Sequence, residues 1–214
     1  MLKVKLNLRK VIAIAICLAG TATMFAQETG VVINGVKWAT RNVDKPGTFV
    51  TNPEDAGMFY QWNRRVGWSA TDPMINSDGG IDWNSSISTG SNTWEKSNDP
   101  SPVGWRVPTL EEIKKLLDTE KVTNEWTSVN GVNGRKFTDK ATGNSIFLPA
   151  AGFRNSNDGM LNDGMLNDVS LYNHYWSSTP YDHFIVYELF FGDDIAERDT
   201  VIRYFGLSIR PVAE

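Results

Sequence analysis

The chain has 214 residues, with 21 basic and 25 acidic side chains, one cysteine and eight tryptophans. The acidic balance disfavours a nucleic-acid partner, since phosphate binding needs a basic face. The one cysteine, Cys17, lies near the start, so a catalytic cysteine, a thiolate metal site and internal disulfide bonds are excluded for the rest of the chain.

Residues 1–26 have the order of a secretory signal peptide. Four basic residues precede the apolar run Val11–Leu18, and small residues follow as far as Ala26. The apolar run is shorter than the roughly 20 residues that a membrane-spanning helix needs, so no membrane insertion is expected after cleavage. We therefore predict an exported protein, either secreted, periplasmic or on the cell surface, whose mature domain covers residues 27–214.

Cleavage changes the charge of the protein and raises a question about Cys17. Removing four basic residues from 21 leaves 17 against 25 acidic residues, a net charge of about −8. Lipidation of Cys17 is an alternative, but Ile16 stands where a lipoprotein signal usually carries a small residue. An ordinary apolar signal residue is the favoured interpretation.

The first part of the mature chain predicts short elements and one long loop. Val31–Val43 predicts two strands around the Asn34-Gly35 turn, a typical hairpin signal. Met58–Trp62 is compatible with either strand or helix. Trp68–Pro102 is long, polar and rich in Gly and Pro, so we interpret it as a surface excursion held in place by its tryptophans.

The clearest helix begins after Thr109. Thr109 is a suitable N-cap, and Glu112 stands where a capping box needs its acidic partner. The residues that follow at helical spacing place three apolar side chains on one face, namely Ile113, Leu116 and Leu117. The pattern predicts a helix to about Asp118.

The remaining sequence predicts strands. The candidate strands are Arg135–Thr138, Ser145–Pro149, Tyr175–Thr179, Val186–Phe191, Thr200–Tyr204 and Leu207–Val212. Few helices and many short strands indicate an α+β domain with mostly antiparallel pairing.

A local duplication and several acidic turns raise the question of a metal. Asn157–Leu161 is repeated at once as Asn162–Leu166, which we interpret as a lengthened surface loop. Calcium is an alternative to plain turn chemistry, because oxygen side chains gather in two stretches. They are Asn76, Asp78 and Asp82, and then Asp158, Asp163 and Asp168. Neither stretch has EF-hand spacing, so no cofactor is predicted.

Several motifs carry a family resemblance, and they occur in the family's order. They are Gly35–Ala39, Tyr60–Trp62, Gly104–Thr109 leading into Glu112, Leu148–Arg154, Tyr175–Thr179 and Gly206–Val212. The chain resembles the Fibrobacter succinogenes major paralogous domain family, which is common in exported proteins of Bacteroidetes. That family is similar in fold to C-type lectins and formylglycine-generating enzymes.

The resemblance implies a C-type-lectin-like α+β fold, with small antiparallel sheets, one or two helices and long loops that display a binding face. The chain departs from the family pattern at Ser101, where relatives often carry a cysteine, so a disulfide common among them is absent. Formylglycine-generating activity does not transfer, because it needs reactive cysteines. His174 and His183 lie in no catalytic motif, so no catalytic residue and no enzyme activity are predicted.

The window Tyr181–Phe205 looks like the variable region of proteins diversified by retroelements. Such elements mutate template adenines and scramble asparagine codons, which cannot yield Lys, Met, Trp or Gln. The window contains none of these four residue types. Glu188 and Glu197 do not fit the scheme and must be fixed positions. The alternative is an ordinary strand-loop-strand pair with an adhesive face.

We therefore predict a ligand-binding domain whose binding face is built from this window, because aromatic and arginine side chains often dominate binding energy. The extracellular ligand is a protein or a glycan. The predicted contact residues are Tyr181, Asp182, His183, Phe184, Tyr187, Asp193, Asp194, Arg198, Asp199, Arg203 and Tyr204. The alternatives are a structural or tip component of a surface or fimbrial assembly and, third, a carbohydrate-active enzyme.

Overall fold

A computed structural model of the protein describes residues 28–83, 92–155 and 164–214. These ranges contain fifteen short strands, one α-helix, α1 (Leu110–Leu116), and one 3-10 turn (Lys96–Asn98). In chain order the strands are β1 (Val31–Ile33), β2 (Val36–Trp38), β3 (Met58–Gln61), β4 (Gly67–Ser69), β5 (Trp105–Arg106), β6 (Val122–Val129), β7 (Val132–Asp139), β8 (Ser145–Pro149), β9 (Phe153–Asn155), β10 (Met165–Asn167), β11 (Asn173–Pro180), β12 (Ile185–Phe191), β13 (Ala196–Ile202), β14 (Gly206–Leu207) and β15 (Val212–Ala213).

The strands form four small sheets, and the paired strands are antiparallel, as predicted. The strand orders are β1-β2-β15-β5, β10-β9-β14-β3-β4, β11-β12-β13 and β6-β7-β8. In the first sheet the last strand, β15, lies between β2 and β5. The two ends of the described chain therefore meet in one sheet.

The predicted α+β, C-type-lectin-like class is wrong, because the protein is mostly β. In the described ranges the only α-helix is α1, with seven residues, against fifteen strands in four small sheets. The segment that the sequence left open, β3, is a strand with all four residues buried. A short apolar run fits helix or strand equally, and here pairing with β4 and β14 on its two sides determines the outcome.

Two local signals give the structure that they predict. Asn34 and Gly35 both have positive φ, 44° and 76°, as a tight hairpin turn between β1 and β2 requires. At α1, the Thr109 hydroxyl accepts a bond from the Glu112 amide, while Glu112 Oε2 accepts one from the Thr109 amide at 2.8 Å. The predicted capping box is therefore confirmed, and the helix ends within two residues of Asp118.

The predicted strand Leu207–Val212 is instead divided between two sheets. Its first residue belongs to β14 and its last to β15, and the chain between them crosses the interior. Arg210 lies on this crossing, 1% exposed, where its Nε donates to Asn42 Oδ1 at 2.9 Å and its Nη2 to the Phe147 carbonyl at 3.1 Å. Buried polar groups need such partners, so the crossing follows one fixed path.

The β11-β12-β13 sheet separates two hydrophobic clusters. Tyr175 and Leu189 pack on one side with α1, whereas Trp176 and Val186 pack on the other side with β3 and β14. Neighbouring residues of a strand point to opposite faces, so a sheet buried on both faces needs apolar residues in succession. This explains why the window beginning at Tyr181 lacks a clean alternation of apolar and polar residues.

Large indole rings lie inside the protein. Trp38, Trp83 and Trp176 are each at most 1% exposed, and the Trp83 ring lies 5.0 Å from that of Trp68, centroid to centroid. Burial of these rings contributes much apolar area in a chain with short elements. The interpretation that tryptophans hold the long excursion in place agrees with the burial of Trp68 and Trp83.

Candidate functional site

The predicted contact residues are spread over the two turns of the β11-β12-β13 sheet, its strands β12 and β13, and the segment after β13, with Tyr187 on β12 and Arg203 and Tyr204 directly after β13. The β11–β12 turn, residues 181–184, and the β12–β13 turn, residues 192–195, lie at opposite ends of the seven-residue strand β12. At about 3.3 Å per residue, these ends are roughly 20 Å apart. Arg198 and Asp199 lie between them on β13, whose only partner strand among the described residues is β12. The eleven residues therefore do not form one patch.

Most of these residues are accessible to a partner. Tyr187 and Tyr204 are partly buried. Eight are exposed, namely Tyr181, Asp182, His183, Phe184, Asp193, Asp194, Arg198 and Asp199. Phe184 is 54% exposed and Tyr181 is 61% exposed, which is unusual for rings of this size.

Arg203 departs from the expected role. It is 4% exposed, its guanidinium carbon lies 4.2 Å from the centroid of the Trp62 ring, and its Nη2 donates to the Asp182 carbonyl at 2.6 Å. Burial lowers the pKa of this guanidinium, and the nearby Asp182 opposes that shift. Arg203 therefore packs inside and holds the β11–β12 turn, rather than presenting a charge to a ligand.

The Asp182 carboxylate also closes the β11–β12 turn. Asp182 Oδ1 accepts bonds from the amides of Phe184, at 2.7 Å, and Ile185, at 2.8 Å. These two bonds lower the pKa of Asp182 below its ordinary value. The ring of Tyr181, in the turn, contacts the ring of Tyr187, on β12, edge to face, with centroids 5.5 Å apart.

The β12–β13 turn is held by a buried guanidinium beneath it. Nη1 of Arg135, on β7, donates to the carbonyls of Gly192, Asp193 and Ile195, the last at 2.8 Å. Its Nε donates to Asn124 Oδ1 at 2.7 Å. Burial lowers the pKa of Arg135, but an arginine stays charged throughout the ordinary pH range.

A continuous row of ring contacts runs across one face of this sheet and onto β9. Phe153 stacks on Phe205, with centroids 5.5 Å apart and planes at 9°, and Phe190 stacks on Tyr172 at 5.5 Å. His174 connects the two pairs, lying 4.6 Å from Phe153 and 4.9 Å from Phe190. We call this row the aromatic ribbon. Its members are Phe153, Tyr172, His174, Phe190, Tyr204 and Phe205.

The aromatic ribbon is partly open to solvent along its length. Tyr172 is 36% exposed, and each of the other five residues is partly exposed. At the Tyr172 end lies a depression of about 280 Å³ lined by Trp126, Leu171, Asp193 and Asp194 among others, which we call the Tyr172 depression. The predicted residues Asp193 and Asp194 therefore adjoin rings that sequence reasoning did not include.

Carboxylates border the aromatic ribbon. Residues directly opposite each other on paired strands share a face, so Glu197 lies on the same face as Phe190, and Asp199 on the same face as Glu188. Glu188 is 2% exposed and its Oε2 lies 2.9 Å from His174 Nδ1. Burial raises the pKa of Glu188, and the hydrogen bond with His174 opposes that shift.

Most of the aromatic ribbon was missed by sequence analysis. Phe153, Tyr172 and His174 lie outside the chosen window and join Phe190 only through strand pairing and sheet packing. One signal was present, because in the pair Phe190-Phe191 the alternation of a strand must bury one ring and turn the other outward. Phe191 is indeed 0% exposed and Phe190 partly exposed.

The structure describes only some of the residues that were considered as calcium ligands. Asn76 Oδ1 accepts bonds from the amides of Asp78 and Gly80, each at 2.9 Å, which is turn chemistry. Asp158 and Asp163 lie outside the described residues. In the described ranges, no three His, Cys, Asp or Glu side chains gather as metal ligands would.

No helix in the described part of the chain has the length and apolar character needed to cross a bilayer. Comparison of the chain with models of protein families, with curated proteins and with solved structures gives no match.

Proposed function

We propose that this chain is an exported binding domain that captures a basic protein partner through the aromatic ribbon and the Tyr172 depression. The observation that carries the proposal is the continuous row of partly exposed rings bordered by carboxylates. Contiguous exposed apolar surface is uncommon on a protein without a partner, and aromatic side chains supply much of the energy of protein interfaces.

Charge selects the class of partner. Glu197 and Asp199 share the face of the aromatic ribbon, while Asp193 and Asp194 line its terminal depression. Arg198 pairs with Leu189 and so points to the other face, and Arg135 is buried beneath the turn. A lysine or arginine of the partner would meet carboxylates and the faces of aromatic rings, both of which attract a cation.

The surface is also held in shape before binding. Arg135 fixes the β12–β13 turn, and Tyr172 packs directly against Gly192, where a Cβ atom would lie only 2.5 Å from the ring. The stacked pairs on either side of His174 restrict the ring rotamers. A preformed surface loses less side-chain freedom on binding, which favours affinity.

The proposal is tested with a peptide library displayed on phage. The purified chain is panned in parallel with the double variant Tyr172→Ala/Phe190→Ala, and peptides retained by the wild type alone are sequenced. We expect these peptides to be rich in Lys and Arg, and their affinity for the double variant to fall at least about tenfold, the equivalent of about 1.4 kcal/mol.

The matched control is Tyr181→Ala/Phe184→Ala, which removes two exposed rings from the opposite end of the same sheet. This control should keep the affinity of the selected peptides, and thermal unfolding checks that both double variants are folded. Peptides that bind all three proteins equally, or that are acidic, would contradict the proposal.

We further propose that diversification of the window Tyr181–Phe205, if encoded, acts on the exposed turns and on β13. Support comes from burial: Val186, Leu189 and Phe191 are at most 1% exposed and would tolerate few replacements. The test is the surrounding DNA, where a near-copy of the 3′ end differing at adenines should lie beside a reverse transcriptase gene. Its absence would remove diversification and leave the binding proposal in place.

A further inference from the structure

A second concavity lies away from the aromatic ribbon and shares no residue with it. It has a volume of about 590 Å³, within the range of sites that hold small molecules. Its wall includes two indole rings and several charged side chains, among them Arg65, Trp94, Lys96, Trp105 and Glu214. We call it the indole cavity.

The two indole rings are held in fixed orientations. Trp94 packs edge to face on Trp62, with centroids 5.4 Å apart, and Trp105 packs in the same way on Phe49 at 5.8 Å. Trp94 and Trp105 are each partly exposed while lining the cavity. They therefore offer rigid, apolar and electron-rich surface to a ligand.

The cavity wall carries charged side chains of both signs. Three basic side chains line it, against the carboxylates of Asp99 and Glu214. Two of the bases are already paired: Lys96 lies 3.0 Å from Glu214, and Arg106 lies 2.7 Å from Glu112. Arg65 is the one of these three bases that takes part in neither pair.

Arg65 is exposed and has a backbone partner. Its Nη1 donates to the Asp99 carbonyl at 2.7 Å, while the Asp99 carboxylate accepts from the amides of Ser101 and Val107. No carboxylate of the described ranges lies within salt-bridge distance of Arg65. Its other N–H groups can accordingly pair with a carboxylate of a ligand in the fork geometry that arginine favours.

Two polar groups in the wall of the cavity also lack partners. Trp94 Nε1 and Ser101 Oγ are buried and have no hydrogen-bond partner in the described part of the chain. A buried polar group without a partner is a cost in free energy, so both groups mark a strained part of the cavity wall.

We infer that the indole cavity binds a sugar that carries a carboxylate, that is, a hexuronic acid unit of a glycan. The C–H face of the sugar ring packs on Trp94 or Trp105, the carboxylate pairs with Arg65, and the hydroxyl groups bond to Lys96 and Glu214. A neutral sugar makes the same ring contact without the ion pair, so the acid is preferred.

The probes are glucuronate and galacturonate, with glucose and galactose as neutral counterparts and acetate as a carboxylate without a sugar ring. Binding to the full chain is followed by calorimetry and by NMR of the indole N–H signals. We expect both uronates to bind at least about tenfold more tightly than the neutral sugars and acetate. We also expect them to shift the indole signals of Trp94 and Trp105.

The variant Arg65→Gln should reduce uronate affinity to the level of the neutral sugars, whereas Arg198→Gln, which removes an exposed arginine on β13, should leave it unchanged. Equal binding of uronates and neutral sugars, equal binding of acetate, no binding at 50 mM, or shifts confined to other indoles would each overturn the inference. The Tyr172→Ala/Phe190→Ala variant should bind uronate normally, so failure of the protein-binding proposal is separately visible.

Discussion

The two turns of the β11-β12-β13 sheet are both held by a buried arginine and differ in what lies beside them. The β11–β12 turn is held by Arg203, is closed by the Asp182 carboxylate and exposes Tyr181 and Phe184. The β12–β13 turn is held by Arg135 and packs against Tyr172, a member of the aromatic ribbon. Exposed rings alone therefore indicate little, whereas a fixed turn joined to a row of rings gives a surface of constant shape.

Among changes at the two turns, the largest effect is expected from Arg135→Met. Methionine keeps much of the apolar stem but leaves the carbonyls of Gly192 and Ile195 without their buried donor, which should lower the free energy of unfolding by about 3 kcal/mol. Chemical denaturation measures the loss. Arg198→Met, at an exposed arginine of the adjoining strand, is the control and should stay within about 0.5 kcal/mol of wild type. A loss below 1 kcal/mol for Arg135→Met would mean that the turn keeps its conformation without the Arg135 hydrogen bonds.

A smaller effect is expected from Gly192→Ala. The added Cβ would lie 2.5 Å from two carbon atoms of the Tyr172 ring, so the ring must move away from the turn. We expect a loss of about 1–3 kcal/mol in the free energy of unfolding and weaker binding of the peptides selected on the aromatic ribbon. When Tyr172 is already alanine, the further change Gly192→Ala should cost much less free energy of unfolding than it does in the wild type. An equal cost in both backgrounds would show that Tyr172 is not the obstacle.

At the other turn, Phe184→Ala should change the free energy of unfolding by less than about 0.5 kcal/mol, because the ring is 54% exposed. The same denaturation experiment measures it. For comparison, Phe191→Ala removes a ring that is 0% exposed and should cost about 3–5 kcal/mol. A large loss for Phe184→Ala would show that this turn, too, is part of the packed structure.

Acid should separate the two turns without unfolding the protein. The pKa of Asp182 is lowered by the amides of Phe184 and Ile185, so its contribution is present above the unfolded pKa and is lost as pH falls through the lower folded pKa. Hydrogen-exchange protection factors should then fall for Phe184 and Ile185. The Gly192 amide, bonded to the Ile195 carbonyl at 2.9 Å, should keep its protection because Arg135 stays charged. Parallel loss at both turns would contradict this distinction.

Local signals in the sequence predicted the turns, caps and strands that depend only on neighbouring residues. The capping box at Thr109, the Asn34-Gly35 turn and the strand Ser145–Pro149 follow from residues close together in the chain. By the same rule, the turn at Asn130-Gly131 between β6 and β7 was within reach of sequence analysis, since both residues have positive φ and apolar residues flank them.

The wrong predictions concern features that depend on contacts between residues far apart in the chain. The fold class depended on whether segments such as Met58–Gln61 find partner strands, which no local pattern states. The role of Arg203 depended on Trp62, more than 100 positions away in the chain, which covers its guanidinium. The aromatic ribbon joins residues from several separate stretches, so only its Tyr204 and neighbouring Asp193 and Asp194 lay among the predicted contacts.

The position of β15 has a consequence for how this protein acquires its structure. Val212 pairs with Trp38 on one side and with Arg106 on the other, so the first sheet has a gap in its middle until these late residues arrive. Pairings so distant along a chain slow folding, because a large loop must close first. During synthesis, the free edges of β2 and β5 must wait for the last strand to insert between them.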